Sequence, residues 1–172
     1  MNQTRIDVRD HIVANPGVHF NELVRALDIA PGQVQYHVRR LQRRGDVVAE
    51  SLYGRTHYYP PTFDEWERSA VALFRRETAR DVLGSLLEAG EARPSEVADS
   101  LGVARSTLEW HLDHLTEQDV VRKRKEGNRV VLELERPDAT RELLADVSPS
   151  LPERFLDRFT RLVDGLLEEA AN

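Results

Sequence analysis

The chain has 172 residues, enough for one medium domain or two small ones, and its 40% apolar content is sufficient for a packed core. It has no cysteine, which excludes disulfides, zinc–thiolate sites and thiol redox sensing, and no run near the roughly eighteen uncharged residues of a membrane span. With 24 basic residues against 30 acidic ones the net charge is −6, unfavourable for nucleic-acid binding at first sight, although the distribution of charge decides more than its sum.

The N-terminal MNQTRIDVRD holds no apolar signal region, so a cytoplasmic protein is expected. A first helix is predicted over about 3–15, with Ile6, Ile12 and Val13 apolar. Asn21 is a good N-cap for a short helix. Asp28-Ile29-Ala30-Pro31-Gly32 then forms a turn, and Pro31 suits the first turn of a longer helix in which Val34, Val38 and Leu41 recur at helical spacing. Asp46–Glu50 and Thr56–Tyr59 flank a turn containing Gly54, the pattern of a β-hairpin. Next, Thr62-Phe63-Asp64-Glu65 fits a capping box ahead of Trp66, Ala70, Leu73 and Phe74 on one helical face. A connecting helix over 62–77 is expected to hold its two neighbours in a fixed orientation.

Those neighbours are repeats. Sliding the chain by 74 residues lays NELVRALDIAPGQVQYHVRRL (21–41) on SEVADSLGVARSTLEWHLDHL (95–115). Glu22/Glu96, Leu27/Leu101, Ala30/Ala104, His37/His111 and Leu41/Leu115 are identical, and the remaining apolar positions stay in phase. The second copy has its own preceding helix (about 78–90), the N-cap Ser95, the turn 102–106 and the helix positions Leu108, Leu112 and Leu115. A second hairpin, Val120–Arg124 and Arg129–Leu134, flanks Gly127-Asn128. Helix-turn-helix plus hairpin is a winged helix, so the expected fold is mainly α with small β-hairpin wings. The expected layout is unit 1 over 1–61, the connecting helix, unit 2 over 78–136, and C-terminal helices over 137–172. The last helix, after Pro149 or Pro152, spreads Leu151, Phe155, Leu156, Phe159, Leu162, Val163, Leu166 and Leu167 over an arc of about 160° at about 100° per residue. So wide an arc suggests a second contact surface, and a homodimer is the preferred reading.

The segment QVQYHVRRLQRRGDVV and its wing resemble the ArsR-type winged-helix regulators of archaea. These carry a tyrosine–histidine–aliphatic step, basic residues, leucine and a glycine before the wing. Tyr36-His37-Val38, Arg39-Arg40-Leu41 and Gly45 match that pattern. The second unit matches in part, through Trp110-His111-Leu112 and Leu115, while Gln118-Asp119 replaces the glycine step. The resemblance covers residues 10–60 well and 80–135 fairly. It implies sequence-specific binding to double-stranded DNA and often dimerisation, and it implies no ligand. Metal-sensing relatives use cysteines or histidine–acid sets on terminal helices, and the segment from Val130 to Asn172 has no histidine, which argues against metal sensing.

A recognition helix packs one side on the core and presents hydrogen-bonding groups to the major groove on the other. With Val34 at 0° and about 100° per residue, Val38 and Leu41 fall near about 40° and 340°, and Gly32, Tyr36, Arg39 and Arg43 between about 140° and 200°. Gln35 and Arg40 stand at the edges of that outward face. Gln33, Gln35, Tyr36 and the arginines are therefore the candidates for base contact, and Arg43, Arg44 and the wing residues Arg55 and His57 for the remaining DNA contacts. Residues 31–61 carry five arginines against Asp46 and Glu50, a sum of +3 in a chain of −6. A charge run of this kind is ordinarily a solvated face; the concentration of four arginines on one helix favours DNA.

In unit 2 the sign reverses. Asp113 takes the slot of Arg39 and Glu117 that of Arg43, both repelled by phosphate, and Trp110 stands outward where Tyr36 does. An outward tryptophan beside acids suits a protein interface, for which Trp110, Phe155, Phe159, Leu162 and Leu166 are candidates. Arg122, Lys123, Arg124 and Lys125 in the second wing are candidate secondary contacts to the DNA backbone. His37 and His111 sit at the core edge as packing residues. His111 and His114 have a spacing that would let them share a metal with Asp113 or Glu117, but no metal, cofactor or catalytic set is assigned.

The reading is a DNA-binding transcriptional regulator, not an enzyme, working through unit 1. Its rivals are an interaction-only tandem winged-helix assembly factor of the chromosome-segregation type, which would not need the arginine face, and a small-molecule-responsive regulator, for which no convergent polar set appears. Acid excess with only two lysines, Lys123 and Lys125, is similar to proteins of salt-loving archaea; a GC-rich genome favouring arginine codons is the other source of that bias.

Overall fold

The computed structural model describes residues 2–147. The expected C-terminal helix, with Phe155, Phe159, Leu162 and Leu166, lies outside the described residues. The described chain forms two compact units that divide between Ala72 and Leu73.

Unit 1 begins with α1 (Gln3–Ala14), the two-residue strand β1 (Val18–His19), α2 (Phe20–Leu27) and α3 (Pro31–Arg44). The wing follows, β2 (Val48–Leu52) and β3 (Arg55–Tyr59), and then α4 (Glu65–Phe74). Unit 2 repeats the order with α5 (Glu77–Ala89), β4 (Glu91–Ala92), α6 (Pro94–Leu101), α7 (Arg105–Glu117), β5 (Val121–Glu126), β6 (Arg129–Leu134) and α8 (Pro137–Val147). Each unit is a winged helix. The repeat is wider than the recognised 21–41 segment: a shift of 74 also carries Gln3 to Glu77, Arg55 to Arg129 and Leu73 to Val147, so α8 stands in unit 2 where α4 stands in unit 1.

Both sheets have three strands, β1-β3-β2 and β4-β6-β5. The hairpins were legible from alternation. The short outer strands were not, because two residues carry no period: Val18 pairs with Tyr58 and Glu91 with Glu133. In the first wing the two turn residues, Tyr53 and Gly54, both have positive φ, the twist that closes a two-residue hairpin.

The helix starts correct the expected caps. α2 and α6 begin at Phe20 and Pro94, so His19 and Arg93, not Asn21 and Ser95, are the N-caps. The third helical residue is a glutamate in both, and it reaches back to the cap amide: His19 N donates to Glu22 Oε2 at 3.4 Å and Arg93 N to Glu96 Oε2 at 2.8 Å. This bond gives the identical Glu22/Glu96 pair a structural reason. The box ahead of α4 likewise runs from Asp64 to Glu67, two residues beyond each expected end: Glu67 N donates to Asp64 Oδ1 and Asp64 N to Glu67 Oε2, both at 2.8 Å.

The two copies exchange glycine and aspartate at equivalent left-handed positions. Asp28 (φ 51) corresponds to Gly102 (φ 63), and Gly45 (φ 75) to Asp119 (φ 55). Asp46 N donates to Leu41 O and Val120 N to Leu115 O, each at 2.9 Å. The departure from glycine at Asp119 therefore leaves the helix termination unchanged, since aspartate tolerates left-handed backbone better than most residues.

Behind α3, Val34, Val38 and Leu41 join Val8, Ile12, Leu23 and Tyr58 in the unit 1 core. Leu108, Leu112, Leu115, Val97 and Leu132 are the buried counterparts in unit 2. Each such side chain contributes roughly 1.5–3 kcal/mol of burial, which locks the rotation of α3 and α7 and determines which residues face outward.

Candidate nucleic-acid interface

Burial of Val34, Val38 and Leu41 leaves Gln33, Gln35, Tyr36, Arg39, Arg40, Gln42, Arg43 and Arg44 of α3 exposed. On one shoulder of α3, facing the wing and the start of α2, the surface forms a groove of about 730 Å³. Gln35, Arg39 and Gln42 line its α3 wall, Asn21 and Arg25 its α2 wall, and Arg55 and Thr56 its wing wall. The groove holds three arginines and three side-chain amides and no acid. Arg25, Arg39, Arg43 and Arg55 have no ion-pair partner among the described residues, so their charge is available to a ligand.

The predicted residues separate under this geometry. Gln35, Arg39 and Arg55 come together in the groove. Arg43 stands outward, while Tyr36 and Arg40 occupy the far shoulder. There the Tyr36 hydroxyl accepts from Arg40 Nε at 3.1 Å and Nη2 at 3.0 Å, and the guanidinium carbon lies 5.4 Å from the ring centroid. That hydrogen bond, with the Arg40 charge, lowers the Tyr36 pKa. Arg44 is tied to Asp46 at 2.9 Å, so its charge is partly answered within the protein.

His57 is a correction. It is 7% exposed, and its Nδ1 lies 2.7 Å from the Gly17 carbonyl. His57 ties β3 to the chain entering β1 and is unavailable to DNA.

Sequence reading missed Asn21, Arg25, Gln42 and Thr56. Asn21 and Arg25 are four apart on α2 and share a face, and Gln42 falls about 20° from Gln35 on the α3 wheel at about 100° per residue. The signal was present, but only the packing of α2 and the wing beside α3 makes one surface of it.

In unit 2 the corresponding positions carry Asp99 for Arg25, Glu109 for Gln35 and Asp113 for Arg39. The second wing answers two of those acids, Glu109 and Asp113. Lys123 Nζ lies 3.0 Å from Glu109 Oε2 and 3.9 Å from Asp113 Oδ1, and Arg105 pairs with Glu109 at 3.1 Å. The Lys123 hydrogen bond holds the Glu109 carboxyl below its usual pKa. Arg124 is paired with Glu91 at 2.7 Å, and Arg122 with Glu133 at 2.6 Å. Of the proposed backbone contacts Arg122, Lys123, Arg124 and Lys125, only Lys125 has no ion pair among the described residues. Trp110 is exposed as expected, with its ring 4.1 Å from that of His114 and 5.0 Å from the Arg76 guanidinium carbon. Among the described residues no group of three or more histidines and acids is placed to hold a metal ion, and no helix is long and apolar enough to cross a membrane.

A family model described as an N-terminal HTH domain matches residues 2–71, and one described as a helix-turn-helix domain matches residues 76–124. An uncharacterized HTH-type transcriptional regulator of Methanocaldococcus jannaschii is 28% identical over 131 residues, which cover 76% of this chain and 33% of that protein. The chain thus spans about a third of the length of this curated relative. Among solved structures, an ArsR family transcriptional regulator aligns with a TM-score of 0.38 at 23% identity, over 60% of this chain and 95% of its own. The oxidized form of MarR from E. coli aligns with a TM-score of 0.35 at 16% identity, over 81% and 95%. Both units are helix-turn-helix domains, and the likeness of the sequence to helix-turn-helix regulators is borne out by the two domain matches.

Proposed function

We propose that this tandem helix-turn-helix protein is a DNA-binding transcriptional regulator that reads duplex DNA through unit 1. The observation that carries this reading is the acid-free groove of unit 1, where Arg25, Arg39 and Arg55 converge with Gln35 and Gln42 beside the exposed face of α3. Arginine fits guanine and glutamine fits adenine through two hydrogen bonds each in the major groove, and the guanidinium groups of α2 and the wing suit phosphate. Unit 2 has the same frame with opposite charge and internal ion pairs, which supports a role in assembly and not in reading. A homodimer through residues 149–172, an interior rich in salt and a cytoplasmic location belong to the same proposal, as does the lack of an enzymatic role.

Selection of bound sequences from a random duplex library tests it. Enrichment of a sequence by the wild type, lost in Arg39→Ala and kept in Asp113→Ala, is the expected result. No enrichment at any salt concentration would favour the interaction-only alternative. Truncation before Leu151 should convert a dimer to a monomer in light-scattering sizing, and an unchanged mass would remove the dimer from the proposal.

A further inference from the structure

The groove occupies one shoulder of α3. The opposite shoulder carries a second cationic cluster that shares none of its residues. An α-helix with side chains is about 10–12 Å across, close to the roughly 12 Å width of the major groove. A helix lodged there has a phosphate backbone along each flank, so a reader built only on the wing side would leave one strand unheld.

On the far side α1 packs along α3 and brings Arg5 toward Tyr36 and His37. Two polar atoms at this seam are buried without a hydrogen-bond partner, Arg5 Nε and His37 Nδ1. His37 is only 7% exposed, and its ring stands edge-on to Tyr36 with centroids 5.1 Å apart. Tyr36, half exposed, holds Arg40 through the paired hydrogen bonds to its hydroxyl. The charges that bear on Tyr36 and His37 are the guanidinium groups of Arg5 and Arg40. On α1, Asp7 accepts from Gln3 and Asp10 pairs with Arg9, each at 2.8 Å, and neither forms an ion pair with Arg5.

The geometry points to a second phosphate site at the α1–α3 seam, in which Arg5 and Arg40 hold the DNA strand opposite the one at the wing. The site rests on the DNA-reading proposal and extends the interface to α1. Tyr36 fixes the Arg40 fork by hydrogen bond and ring contact, so less side-chain freedom is lost on binding. Arg5 supplies a half-buried guanidinium that has no ion-pair partner among the described residues; its Nε is buried, so its terminal nitrogens are the ones that would meet phosphate.

Phosphate contacts carry no sequence preference, so the test needs no known operator. Binding of the full chain to a short duplex of random sequence is followed across a potassium chloride series. Each lost phosphate contact should reduce the slope of log K against log salt by about one. Arg5→Gln and Arg40→Gln are each expected to show that reduction, and Arg5→Lys, which keeps the charge, to retain the wild-type slope. Melting curves for each variant confirm that it is folded; Arg40, being exposed, reads the same site should Arg5→Gln fail to fold. Unchanged slopes in folded Arg5→Gln and Arg40→Gln, with a reduced slope in Arg55→Gln, would overturn this site and leave the DNA-reading proposal standing. A wild type that binds no duplex overturns both.

Discussion

Lys123 reaches from the second wing to the Glu109 carboxylate at 3.0 Å, at the repeat position that Gln35 holds in the open groove of unit 1. One frame thus presents an unpaired arginine–amide surface in one copy and acids partly answered by ion pairs in the other. The difference lies wholly in side chains that the core does not constrain. Arg39→Ala should weaken binding to the selected site by about 1–3 kcal/mol if the guanidinium is bidentate to a base, and less if it meets phosphate. Asp113→Ala should leave affinity unchanged or raise it. Gel-shift titration separates the two outcomes, and loss of binding confined to unit 2 variants would reverse the assignment of roles.

The Glu109 pairing has a consequence in acid. Its folded pKa is lowered, first by the Lys123 hydrogen bond, so its stabilising effect is present above the unfolded value near 4.5 and lost as pH falls through the folded one. In Lys123→Ala the wild-type advantage should therefore shrink as pH falls below 4.5. Urea unfolding at neutral and acid pH measures it, and an advantage independent of pH would mean that Lys123 acts by packing alone.

His37 and His111 work in a higher range. Burial, then the charges of Arg5 and Arg40, lower His37 below 6.5; burial, then Arg76 and His114, lower His111. Well above 6.5 both folded and unfolded chains hold neutral imidazoles. As pH falls from there, the unfolded chain takes up protons that the folded one resists, and stability declines until the folded pKa values are passed. Replacing both histidines with glutamine should flatten that part of the stability profile, and a double variant with the wild-type profile would place the titration elsewhere.

His57→Ala should destabilise unit 1 by about 1–3 kcal/mol, because the Gly17 carbonyl loses a buried partner. Thermal unfolding reads the loss. The salt slope of DNA binding should stay at the wild-type value, since no phosphate contact is removed; a reduced slope would return His57 to the interface.

Asp28 holds a left-handed backbone that its counterpart Gly102 adopts freely. Asp28→Gly is expected to relieve local strain and change stability by less than about 1 kcal/mol in the favourable direction, with DNA binding intact. Chemical denaturation decides it, and a marked loss would mean that the carboxylate makes a contribution the backbone angle does not reveal.

Periodicity alone determined the helices, the wings and the buried side of α3, because burying Val34, Val38 and Leu41 admits only one rotation of that helix. It also exposed the repeat, since apolar positions must stay in phase to build the same core twice, and with it the reversal of charge between Arg39 and Asp113. Tertiary structure decided what no linear pattern carries. The two-residue strands β1 and β4 exist only through pairing with β3 and β6. Arg25 and Arg55 become one surface with Arg39 only because α2 and the wing fold to the same side of α3. His57 sits in a wing among polar neighbours and reads as exposed in sequence. The Gly17 carbonyl, 40 residues away in sequence, makes it part of the interior, because a hydrogen bond to a distant backbone group is invisible to any local period.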